Sequence, residues 1–132
     1  MKAIIMGCGL VGAELATLLD SEENQVTILD LDPDSFERLP PTFKGEALIA
    51  DGTEPEDLER AGIEEADAFI ALTEEDNRNI LATQMARDIY NVSRVLCRIY
   101  DPARSELYEE LGLETFSPTR IVAHLLRQRL VG

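Results

Sequence analysis

The stretch that most constrains this chain is residues 3–19, AIIMGCGLVGAELATLL. A short apolar run meets three glycines, Gly7, Gly9 and Gly12, and a helix-forming segment follows at once. The pattern is G-x-G-x-x-G between strand and helix. Each glycine answers a steric demand: Gly7 allows the tight turn, Gly9 lets backbone approach a diphosphate, and Gly12 lets helix and strand pack closely. Cys8, Leu10 and Val11 share this loop and helix start, where unpaired N–H groups and the positive end of a helix dipole suit an anion. Glycine triplets also recur by chance, so the motif carries weight only if the remaining residues build the site it implies.

Strands and helices alternate along the rest of the chain. Val11, Leu15, Leu18 and Leu19 recur at helical spacing, and residues 25–30 then read as a second strand. Its last residue, Asp30, falls eighteen positions after Gly12, near the interval at which a dinucleotide fold sets a carboxylate on the adenosine ribose. A carboxylate accepts from both ribose hydroxyls and repels a 2′-phosphate, so NAD is favoured over NADP. Asp32 competes for this role across Leu31, and either acid can instead serve the turn before Pro33. Pro33 opens a short helix to Arg38, Pro40 and Pro41 end it, and residues 47–50 make a third strand. Asp51 and Gly52 then stand at that strand's carboxyl end, where the crevice of an open parallel sheet meets an adenine. Thr53 either joins them or caps the next helix in a capping box with Glu56.

Residues 68–72 are continuously apolar, as a strand buried on both faces requires. Thr73, Asn77 and Asn79 return to the crevice, ahead of a helix with Leu81, Met85 and Ile89 on one stripe and Ala82 and Ala86 beside it. Thr73 or Asp76 can equally be that helix's N-cap. A fifth strand, residues 95–100, carries Arg98 in an apolar run, where its charge needs a phosphate or a nearby carboxylate such as Asp30 or Asp51. A helix from Asp101-Pro102 to Leu111 and a short strand at 114–116 follow. The whole is an α/β, Rossmann-like doubly wound parallel sheet.

Composition excludes other classes. With 132 residues and 45% hydrophobic content there is room for one domain with a real core. No run of eighteen apolar residues occurs and the first strand begins at Lys2, so neither a membrane span nor a signal peptide is expected and the chain reads as cytoplasmic. A net charge of -14 repels nucleic acid and anionic membrane. Residues 118–132 differ: they carry three arginines and no acid, leaving -17 on the rest. Ser117 and Pro118 start this last helix, and Ile121, Val122, Leu125, Leu126 and Leu130 form a broad apolar face. The face either packs on its own sheet or, the preferred reading, crosses to a second subunit, making 118–132 a dimerisation helix. His124 is expected on the helix surface, and Cys8 and Cys97, with no metal-ligand spacing, as buried thiols.

GCGLVG (7–12), ILDLDP (28–33), ADGTEPEDLERAGIEEADAFIALT (50–73), TEEDNRN (73–79), VLCRIYDP (95–102) and SPTRIVAHLL (117–126) closely resemble the TrkA/KtrA N-terminal, or RCK (regulator of potassium conductance), domain family over nearly all of the chain. The resemblance implies NAD(H) or an adenine nucleotide (ADP, ATP or AMP) bound among the glycine loop, Asp30, Leu31, the 51–53 turn, Thr73, Asn79 and Arg98. It further implies a final helix that crosses to a paired subunit in a homodimer or ring. The partner it implies is a membrane potassium transporter or channel, approached from the cytoplasmic face without membrane insertion. One departure stands out: many members carry arginine or lysine after the second glycine, where this chain has Leu10, so a phosphate-neutralising charge is missing from the loop and a triphosphate is disfavoured. The C-terminal ligand-binding domain often attached in the family is not present, which suggests a fragment or a single-domain member. A non-enzymatic nucleotide sensor is therefore the preferred function. The alternative is the cofactor domain of an NAD-dependent dehydrogenase, against which stands the lack of a catalytic constellation.

Overall fold

The computed structural model describes residues 1–132 and contains one six-stranded, all-parallel sheet with helices on both faces. In chain order the elements are β1 (Lys2–Met6), α1 (Leu10–Ser21), β2 (Gln25–Asp30), a 3-10 turn (Pro33–Arg38), β3 (Glu46–Ile49) and α2 (Pro55–Arg60). After them come β4 (Ala68–Ala71), α3 (Asp76–Asp88), β5 (Arg94–Arg98), α4 (Pro102–Glu110), β6 (Thr115–Phe116) and α5 (Pro118–Val131). Strand order is β3-β2-β1-β4-β5-β6, so the chain winds one way from β1 and then returns to wind the other. The reversal opens a crevice at the carboxyl ends of β1 and β4, where Met6 is in register with Leu29 and Ala71.

Alternation along β1 divides the core. Ala3 and Ile5 join Val26, Ile28, Ala68 and Ile70 on the face covered by α1, while Ile4 and Met6 join Leu29, Phe69 and Ala71 on the other. Both faces of β4 are buried, as its unbroken apolar run requires. β3, expected at residues 47–50, spans Glu46–Ile49 and is a largely exposed edge.

The helices correct the apolar-stripe reading. The buried face of α3 is Asn79, Ile80, Ala82, Thr83, Met85 and Ala86, and Leu81 and Ile89 point outward. In α1 the residues against the sheet are Gly12, Ala13 and Ala16, with Val11 and Leu18 half exposed. Close approach of a helix to a sheet selects small side chains, which a hydrophobicity count passes over. α5 buries no residue at all, so its apolar face does not pack on its own sheet. His124 is exposed on it, and Cys8 and Cys97 are both fully buried.

Candidate functional site

The glycine loop is held by its neighbours on both sides. Gly7 has φ +109°, and its N–H donates to the Leu29 carbonyl at 2.7 Å. A Cβ there would lie 3.0 Å from the Leu72 carbonyl, and a Cβ on Gly12 would collide with the Gly7 carbonyl oxygen. A Cβ on Gly9 would meet nothing within 4 Å, since it would project into open crevice. Gly9 is the N-cap of α1 without a side-chain bond, and the first helical bond runs from Ala13 N–H to Gly9 at 2.9 Å. The amides of Leu10 and Val11 are thereby left for solvent or an anion.

Asp30 buttresses this loop. One carboxylate oxygen accepts from Cys8 N–H at 2.7 Å and the other from Asp32 N–H at 2.9 Å, leaving further acceptor capacity on each. Asp32 instead caps the 3-10 turn by accepting from Asp34 N–H at 3.0 Å. Burial, with the adjacent Asp30 charge, pushes the Cys8 thiol up, against the lowering effect of the Ser35 side chain and the Arg38 charge. Arg38 also donates to the Cys8 carbonyl at 3.3 Å. This corrects the expectation of a loop without a cation: Leu10 is 81% exposed and supplies none, but the turn after β2 brings one alongside.

Across the crevice, Asn79 ties the ends of β4 and β5 together. Its side-chain oxygen accepts from the Thr73 amide at 3.0 Å and hydroxyl at 2.6 Å, and its amide donates to the carbonyls of Thr73 at 2.9 Å and Arg98 at 3.0 Å. Asn79 is 0% exposed. Glu75, not Thr73 or Asp76, is the N-cap of α3, and it makes no side-chain capping bond. Asp76 accepts instead from Tyr100 N–H at 3.0 Å, bracing α3 against the end of β5.

Arg98 is 7% exposed. It donates to the Leu72 carbonyl and, at 3.0 Å, to that of Thr73; its guanidinium lies 5.0 Å from the Tyr100 ring centre, and its Nε has no partner. It makes no ion pair, which removes the carboxylate alternative, neutralisation by Asp30 or Asp51. Asp51 is engaged elsewhere: one of its oxygens accepts from the Thr53 amide at 2.9 Å, the Thr53 hydroxyl at 2.7 Å and Arg78 Nη2 at 2.9 Å. Burial acts to raise the Asp51 carboxyl, but the Thr53 bonds and the Arg78 charge outweigh it and hold it below its ordinary value. Thr53 is accordingly a partner of Asp51 and not the cap of α2, whose N-cap is Glu54.

These residues surround a cavity of about 590 Å³. Gly7, Cys8, Gly9, Leu10, Val11, Asp30, Leu31, Gly52, Thr73 and Arg98 line it, while Gly12, Asp51, Thr53 and Asn79 stand behind its wall. The lining also includes Arg38, Arg78 and Tyr100, which sequence reasoning did not nominate. Arg38 ends the turn directly after Asp30, and Arg78 lies inside the TEEDNRN segment between the two asparagines that drew attention. A cavity of about 600 Å³ at the amino ends of β1 and β2, around Lys2, Lys44 and Arg60, has no comparable loop or helix start and carries no chemistry of this kind.

Residues 3–118 match the TrkA-N domain family. The chain is 43% identical over 131 residues to the Trk system potassium uptake protein TrkA of Streptomyces coelicolor, a match that covers 99% of this chain and 59% of the relative. The chain thus spans about three fifths of that protein's length. Among solved structures, the Shewanella denitrificans Kef CTD in its AMP-bound form superposes with a TM-score of 0.81 at 21% identity, covering 96% of this chain and 77% of the other. The GsuK channel bound to NAD gives a TM-score of 0.80 at 18% identity, over 95% of this chain and 23% of the channel chain. At these identities the structural likeness establishes the fold.

Proposed function

Because the chain belongs to the TrkA-N domain family, we propose that its crevice binds NAD(H) or an adenine nucleotide and that occupancy regulates a membrane potassium transporter or channel. The observation that carries this reading is Arg98. An arginine 93% buried with an orphaned Nε and no carboxylate partner is costly to maintain, and a ligand phosphate supplies the missing counter-charge. Open amides at the start of α1 and the nearby Arg38 converge on the same cavity. Asp30 lines the cavity with acceptor capacity remaining on both oxygens, which supports a ribose role, and together with Asp32 it opposes a 2′-phosphate. The AMP-bound and NAD-bound relatives make both mononucleotide and dinucleotide reasonable ligands.

The role is binding rather than turnover. Histidine and lysine, the usual proton carriers beside a nicotinamide, do not line the crevice: His124 is on α5, and Lys2 and Lys44 are at the opposite ends of the strands. Regulation then requires that the ligand bind one arrangement of the assembly better than another. α5, cationic and apolar with nothing buried, is the element through which two copies pair at the inner face of the membrane.

Calorimetric titration with NADH and ADP tests the reading. Micromolar binding to the wild type should weaken by about tenfold in Asp30→Ala, the loss of hydrogen bonds to a charged acceptor. Unchanged affinity would remove Asp30 from the ribose. Light scattering should report a dimer or larger, and a monomer at high concentration would undo the assignment of α5.

A further inference from the structure

Resting on the nucleotide reading of the crevice, we propose that Arg78 is the platform on which the purine base stacks, and that Asp51 and Glu75 are the residues that position it. The inference starts from how the guanidinium is held. Nη2 meets Asp51 at 2.9 Å and Nε meets Glu75 at 3.4 Å, so the two donors that form the usual bidentate fork are both occupied by carboxylates. A guanidinium held this way has one firm carboxylate partner in Asp51 and a weaker, exposed one in Glu75, and the two set its plane. It is poorly suited to gripping a phosphate and well suited to offering a flat, polarisable face.

The clamp extends back into the fold. The Asp51 amide donates to Asp57 at 2.7 Å, and Asp57 pairs with Arg60 at 3.2 Å, so the acid that anchors Arg78 is itself anchored to α2. Arg78 has a side chain 27% exposed and lines the cavity, whereas Asp51 does not reach it. The residue at the base subsite is therefore the arginine on α3, and the carboxylate after β3 acts through it. Gly52, which lines the cavity beside them, packs directly on the Met6 side chain, into which a Cβ there would run. Leu31, half exposed on the same cavity, adds an apolar contact for the base.

A cation that stacks distinguishes bases by their surface, and one that grips phosphate does not. Affinities for ADP and UDP, which share ribose and diphosphate, separate the two roles when measured by calorimetry on the wild type, R78A, R78K and D51N. The wild type should prefer ADP by about fivefold, the size of a cation–π contact at a partly exposed site. R78A and R78K should both bring that preference to within about twofold, with a smaller loss of UDP affinity than of ADP affinity, since lysine keeps the charge but loses the plane. D51N should reduce the preference partly, by loosening the clamp. Equal loss of ADP and UDP affinity, or a wild-type preference retained in R78K, would overturn the platform role and leave nucleotide binding intact. A wild type that binds neither ligand would overturn the nucleotide reading and this inference with it.

Discussion

Arg78 and Arg98 line the same cavity and are in opposite electrostatic states. Arg78, on the wall formed by α3, is clamped between two carboxylates and partly open to water. Arg98, on the wall formed by β5, is almost fully buried, bonded only to backbone carbonyls and an aromatic face, and lacks a counter-ion. A compensated arginine is a fixed shape, and an uncompensated one is a standing demand for an anion. On the proposed reading the two arginines serve the two ends of a nucleotide, the flat base and the negative phosphate.

The comparison breaks most decisively at Arg98. Replacing it with methionine removes the anion's partner and should weaken ADP or NADH by about thirtyfold or more, the worth of a charge-assisted bond in a site with little water. Stability should move little, because relief from an unpaired buried charge offsets the loss of two carbonyl bonds, so Tm is expected to stay within about 5 °C. Unchanged binding with a large fall in Tm would make Arg98 a brace for the β4 end instead.

The smaller effect belongs to the paired side. The Asp51 carboxyl is depressed in the folded chain, so its contribution to stability is present above the unfolded value of about 3.9 and is lost as pH falls through the lower folded value. Asp51→Asn should lower Tm near neutral pH by about 2–5 °C, and the gap to wild type should close below about pH 4. A gap that persists into acid would mean that the hydrogen-bond geometry, and not the charge, holds Arg78.

Much of this was legible in the chain. The apolar run into GCGLVG, the acid eighteen residues on and the unbroken strand at 68–72 prescribe a parallel sheet with a crevice beside the first turn, and that sheet is observed. Asp30 and Arg98 were also recognisable, because each sits at a strand end whose position the alternation of elements defines. Less visible were the partners. Asn79 looked like a ligand contact and is fully enclosed between two strand ends. Thr53, read as a crevice contact or a helix cap, bonds Asp51. Arg38 and Arg78 drew no attention, since long side chains on surface turns and helices reach their targets over distances that sequence spacing does not encode.

What the sequence determined by itself was the architecture and the site's location, because backbone sterics at glycine, strand burial and helix periodicity are local or nearly local demands. What only the tertiary structure decided was the state of each charge. Whether an arginine is paired with Asp51 and Glu75 or left without an acid depends on which strand ends and helix starts come together across the switch point, and that is a property of the assembled sheet.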